Sequence, residues 1–264
     1  MQTERLAHEV VVRPWWRDHS FQDRAVLPAV ETLAILAEQV QMHYPDVDYR
    51  RMRSARFPRF LEIQPGRGTL ALEIELERLQ NGTVQARLCS RLRLTAMRRL
   101  LVHGEVTFGG GYCAERWHSH RRPPRPEALL SSEQVYEHYV PFGRRCHSLK
   151  GKLHLANDRA WGHVWALNDL DQGVSSCLGS PFPLDGAMHM ACVHGQRKVN
   201  YIPFPTGFAE RVIHRQTRAD RRYGVDVVEI STNRDNLLVY DLEIRAQDGT
   251  PAETVCGLVM QRAG

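Results

Sequence analysis

Two short segments hold the residues best suited to proton transfer. In RPWWRDHSFQDRAVLP, His19 precedes an apolar helical pattern and stands nine residues before Pro28. In SPFPLDGAMHMACVHG, Asp185 opens a second helical pattern and His189 follows four residues later. Four residues is just over one helical turn, so the Asp185 and His189 side chains share a face and can touch. An imidazole titrates near neutrality and a carboxyl group can give or take a proton, the two halves of general acid–base chemistry. Each residue also has a plainer role open to it. An Asp in a first helical turn caps backbone N–H groups and complements the helix dipole. A His on a buried helix face is commonly a satisfied core residue.

The chain around them has 264 residues, 42% hydrophobic and 25% charged, with a formal net charge of +5. That is enough for a sizeable core, in one large domain or in two of ordinary size. Arg, Asp or Glu interrupts every apolar stretch well short of the roughly 20 residues of a membrane-spanning helix. The opening residues include Glu4 and Glu9 and lack a signal-peptide layout. The six cysteines are scattered, without a short fixed spacing, so reduced thiols and a cytoplasmic location are expected.

The composition divides near the middle. Gly109 to Glu133 combines glycines, prolines and arginines, which suits a connector because Pro and Gly continue neither helix nor strand. The reading is an N-terminal unit over 1–111, a Pro/Arg-rich linker over 112–132 and a C-terminal unit over 133–264. After Pro28, the apolar residues Val30, Leu33, Ala34, Ala37 and Val40 recur at helical spacing until Pro45. Segments alternating with period two follow, at Leu70–Leu76, Leu88–Leu94 and Leu101–Phe108, with a hairpin signal at Gln80–Thr83. The second half repeats the theme: strands near 150–155 and 161–167, a helix over Leu184–His194, then three more strands, the clearest at Leu238–Ile244. Each half reads as one long apolar helix lying in a curved antiparallel sheet, an α+β unit that is duplicated.

These two segments resemble the dehydratase domain of polyketide synthases and polyunsaturated fatty acid synthases, the double hot-dog family. That family's first motif places a Gly four residues and a Pro nine residues after a His; here the positions are His19, Asp23 and Pro28. Its second motif is an Asp followed four residues on by Gln or His, matched by Asp185 and His189 in PLDGAMHMA. A third, a Gly-Pro-x-Phe turn, survives only as Gly143, with Arg144 and Cys146 at the Pro and aromatic positions. Phe142 stands where relatives often carry Tyr, and Ile202-Pro203-Phe204-Pro205 resembles the family's strand opening after the second helix.

The resemblance implies a fold of two tandem hot dogs. It also implies a hydro-lyase that converts a 3-hydroxyacyl thioester on an acyl carrier protein into a 2-enoyl thioester. His19 would be the base, Asp185 the acid and His189 the orienter of Asp185. Pro28, Gly143 and Leu184 would bound the substrate site, with the Gly143 amide a candidate donor to the thioester carbonyl. No metal or organic cofactor is implied. The acidic carrier protein would be the partner, together with a second copy of the chain or other synthase subunits. Arg50, Arg51 and Arg53 would offer it a basic dock.

Asp23 and the altered turn at Gly143 leave an alternative open: a catalytically altered homologue that binds acyl chains as a scaffold, or a cyclase or isomerase on the same fold. Other classes lack their signatures. There is no Gly-x-Ser-x-Gly nucleophile elbow, no phosphate loop and no helix-turn-helix, zinc-finger or RNP-like pattern for nucleic acid. Cys113 with His118 and His120, and Cys192 with His194, have no recognised metal spacing.

Overall fold

A computed structural model of the chain describes residues 3–93, 98–110, 123–168, 176–232 and 237–262. Most of the connector, including Cys113, His118 and His120, lies outside the described residues.

The first half runs β1 (Thr3–Val11), α1 (Pro14–Asp18), the two-residue strands β2 (Ser20–Phe21) and β3 (Arg24–Ala25), α2 (Ala29–His43), then β4 (Arg51–Arg56), β5 (Thr69–Arg78), β6 (Val84–Arg93) and β7 (Arg98–Phe108). The second half runs β8 (Ala128–Ser131), α3 (Ser132–Gln134), a π-helical turn over Val135–Tyr139 and a 3₁₀ turn over Arg144–Cys146. It continues with β9 (Leu149–Leu155), β10 (Arg159–Ala166), α4 (Phe182–Gly195), β11 (Pro203–Ile213), β12 (Arg221–Thr232), β13 (Leu238–Arg245) and β14 (Pro251–Arg262).

The expected alternating segments are strands β5, β6 and β7 in the first half and β9, β10 and β13 in the second. In β5, Leu72, Ile74 and Leu76 turn inward, while Glu75 on the outer face bonds Arg5 across the β1–β5 ladder at 2.8 Å. Residues Val30 to Ala37 of α2 are all buried, as is every residue of α4. A helix that is buried all round belongs inside a sheet rather than on it. The two helices therefore occupy the concave faces of the two halves, the double hot-dog arrangement.

The structure differs from expectation in three places. Strands β1 to β4 and helices α1 and α3 are additional elements, short or without a period strong enough to read from the sequence. The linker reading over 112–132 runs too far, because Ala128–Ser131 pair with β9 as strand β8. Four strands, not three, follow α4. Among the described residues, Cys89, Cys146, Cys177, Cys192 and Cys256 are free thiols, as expected. No helix among them is long and apolar enough to cross a membrane.

The halves fuse into one antiparallel sheet of twelve strands, in the order β1-β5-β6-β7-β4-β11-β14-β13-β12-β10-β9-β8. The seam is β4 against β11, with Arg51 opposite Val212 and Arg56 opposite Gly207. A side chain at Gly207 would run into the Ala55 carbonyl oxygen, so only glycine lets the two backbones close here. Buried residues from both halves form one continuous core.

Candidate active site

Local structure holds His19 from both sides. Pro14 opens α1, and Trp15 and Trp16 anchor it, being 1% and 2% exposed. The helix ends at His19, whose N–H donates to the Trp15 carbonyl at 3.2 Å. The β2–β3 ribbon then turns through Gln22 at φ 50° and Asp23 at φ 61°. Consecutive left-handed residues build the type I′ turn that matches the twist of a ribbon, and Asp is among the few non-glycine residues to tolerate that region. Asp23 thus takes a left-handed backbone conformation, one that glycine adopts freely. Val26 N–H closes the loop by donating to the His19 carbonyl at 3.0 Å, and α2 begins after Pro28.

Asp185 lies in the first turn of α4, but no side chain caps that helix. Its carboxylate instead faces two imidazoles. Oδ1 is 3.9 Å from His19 Nε2, and Oδ2 is 3.3 Å from His189 Nε2. The capping reading therefore falls for Asp185. On its far side, His189 Nδ1 meets the Tyr136 hydroxyl at 3.3 Å, and that hydroxyl accepts the Leu149 N–H at 2.9 Å.

Burial acts on these groups in opposite directions, because it penalises whichever form is charged. It raises Asp185 to about 8, with the charge of buried Glu31 adding to the effect. It lowers His19 to about 4, partly offset by the Val26 backbone beside the ring. It lowers His189 to about 3, helped by His19 and His147. Near neutrality the site therefore holds a neutral imidazole opposite a protonated carboxylic acid, not an ion pair.

All three side chains line a narrow cavity of about 70 Å³, walled mainly by Phe21, Phe57, Phe60, Phe142, Met188 and Phe204. Phe142 packs on both imidazoles, with ring centroids 4.3 Å from His19 and 5.2 Å from His189. Its loop is tied to α1: the Gly143 N–H donates to the Asp18 carbonyl at 2.8 Å and the Arg145 N–H to Asp18 Oδ2 at 2.9 Å. Of the expected substrate-site residues, none lines the cavity. Gly143 spends its amide on Asp18, so it is not the donor to a thioester carbonyl. Leu184 is 1% exposed in the core, and Pro28 is buried at the head of α2.

Sequence reasoning missed Tyr136, His147 and Asp18. One signal was available for Tyr136. Ser131 and Gln134 form a reciprocal capping box, which announces the helical turn that carries Tyr136. The ligating atoms of His19, Asp185 and His189 all lie within 4.8 Å of one another, so this group could also hold a metal ion. His194 is a structural residue, bonded to Tyr240 at 3.1 Å and to the Ala156 carbonyl at 3.3 Å.

The sequence profile described as polyketide synthase dehydratase N-terminal domain matches residues 119–264. No curated protein sequence matches the chain. Among solved structures, the chain is similar to a trans-AT polyketide synthase dehydratase domain from Brevibacillus brevis, with 15% identity, a TM-score of 0.78 and coverage of 99% of this chain and 94% of that one. It is similar to the dehydratase domain from the CurK module of curacin polyketide synthase, with 13% identity, a TM-score of 0.79 and coverage of 99% and 93%. A dehydratase domain of a mycocerosic acid synthase-like polyketide synthase gives 15% identity, a TM-score of 0.75 and coverage of 98% and 92%.

Proposed function

The chain belongs to the polyketide synthase dehydratase family, and from that premise we propose that His19 and Asp185 are the base and acid that remove water from a 3-hydroxyacyl thioester carried on an acyl carrier protein. The observation that supports this most is the pair itself. A neutral imidazole from one hot dog faces a protonated carboxyl from the other across a shared apolar cavity.

Dehydration must break a C–H bond at C2 and a C–O bond at C3. His19 Nε2 takes the C2 proton, and the electron pair left behind becomes the C2–C3 double bond. Hydroxide is a poor leaving group, so Asp185 gives its proton to the C3 oxygen and water departs. The imidazolium and carboxylate so formed exchange a proton across the same short gap, restoring both groups. The apolar walls favour this return because they disfavour the charged pair. His189 holds Asp185 from the other side.

The cavity continues outward into an open groove that shares Phe21, Phe57, Arg59, Phe60 and Phe204 with it and adds Arg24 and Arg262. This supports a carrier protein docking at that mouth, with its acidic surface against Arg59 and Arg262. Arg50 and Arg51 flank the other end of β4, beside Ile213 and His214, which counts against the dock expected there.

The test is turnover of a 3-hydroxyacyl thioester, on a carrier protein and as a small soluble mimic. His19→Ala and Asp185→Asn should each abolish formation of the enoyl product while leaving a folded chain. Near-normal turnover in either variant would overturn the assignment.

A further inference from the structure

We infer that Tyr136 is a positioning residue that sets the tautomer of His189 and, through it, the oxygen of Asp185 that carries the transferable proton. The inference rests on the acid role of Asp185 given above.

The argument is an accounting of donors. Tyrosine has one O–H to give and lone pairs to receive, whereas neutral histidine has one N–H and one bare nitrogen. The Leu149 backbone N–H donates to the Tyr136 oxygen at 2.9 Å. The phenol's own proton then needs an acceptor, and His189 Nδ1 stands 3.3 Å away. Ser148 is the other hydroxyl nearby; it lies off the line of a good hydrogen bond and acts on the Tyr136 oxygen as a donor, so it does not take the phenol's proton. The Tyr136 proton therefore points at Nδ1, and His189 carries its own proton on Nε2.

That choice reaches the reaction. His189 Nε2 lies 3.3 Å from Asp185 Oδ2, close but off the line of a hydrogen bond, so an N–H there acts through its partial charge and favours Oδ2 as the unprotonated carbonyl oxygen. The acid's proton then resides on Oδ1, the oxygen that faces His19. With the opposite tautomer, a bare Nε2 would draw the acid's proton to Oδ2, away from the leaving group. Packing fixes the tyrosine firmly in this position, since it is 5% exposed and its ring stacks on His147 at 3.9 Å with a 6° tilt. The same His147 donates from Nε2 to the Phe142 carbonyl at 2.8 Å, which ties the stack to the loop over the site.

The experiment is long-range ¹H–¹⁵N spectroscopy on the full chain labelled in histidine, with His189→Gln used to assign the His189 signals. The wild-type spectrum should show His189 protonated at Nε2. Tyr136→Phe should populate the other tautomer and lower kcat about tenfold, with KM for a small thioester unchanged. A glutamine amide donates without a tautomer to choose, so Tyr136→Phe should change kcat little in the His189→Gln background. A wild-type His189 protonated at Nδ1 would overturn the inference, and that spectrum decides even if Tyr136→Phe does not fold. An equal loss from Tyr136→Phe in both backgrounds would also overturn it. Failure of the function reading looks different: turnover would then survive His19→Ala or Asp185→Asn, whatever the tautomer.

Discussion

His19 Nε2 and Asp185 Oδ1 stand 3.9 Å apart, one supplied by the end of the first short helix and the other by the first turn of α4 in the opposite half. Both sit in apolar surroundings that favour their neutral forms, and this makes the pair a poised base and acid at the same pH.

The pH dependence of catalysis follows. Activity needs His19 unprotonated and Asp185 protonated. With His19 lowered to about 4 and Asp185 raised to about 8, kcat/KM should rise through the first value and fall through the second. A profile on a small thioester mimic checks this. A falling limb at about 4, where an unperturbed carboxyl titrates, would contradict the assignment of Asp185 as the acid.

Stability should carry the same signature with its own sign. Asp185 is raised in the fold from 3.8 to about 8, so between those values the unfolded chain loses a proton that the folded chain keeps. Its contribution is fully present below the lower value and is lost as pH climbs to the upper one. Asp185→Asn removes that dependence. The difference in Tm between variant and wild type should therefore move in the variant's favour from pH 4 to pH 8, read by thermal denaturation across that range.

Carrier-protein recognition separates the two ends of β4. Arg59→Glu at the cavity mouth should raise KM for a carrier-bound substrate by about tenfold at low salt, while leaving a small thioester unaffected. Arg50→Glu, at the far end of the strand, should change neither. Equal effects of Arg59→Glu on both substrates would argue against docking at the mouth.

The seam between the halves is the place where a single methyl group should matter most. Gly207→Ala puts a side chain against the Ala55 carbonyl and should cost about 1–3 kcal/mol of stability in chemical denaturation. Because the seam joins two halves that share one active site, turnover should fall with it. Unchanged stability would mean that β4 and β11 can part without consequence.

Much of this could be read from the chain itself. The helical recurrence from Val30 to Val40 and the helical pattern from Leu184 to His194 both mark buried helices, and strict alternation at Leu72, Ile74 and Leu76 marks a half-buried strand. Such periods survive in sequence because each helix or strand presents one residue pattern to one environment. Strand β1 was not legible for the same reason. Its exposed and half-buried positions alternate at a sheet edge, where no deeply buried stripe is required.

The sequence alone determined which residue types could do chemistry, and that His19 stands just ahead of one apolar helix while Asp185 opens another, with His189 one turn on. It could not determine how those residues face one another or in which protonation state. Asp185 reads equally well as a helix cap until the fold shows it turned toward two imidazoles, and Gly143 reads as a donor until its amide is found on Asp18. Contacts between residues distant in the chain, and the desolvation that shifts their protons, belong to packing, and packing exists only once the two halves have closed around one cavity.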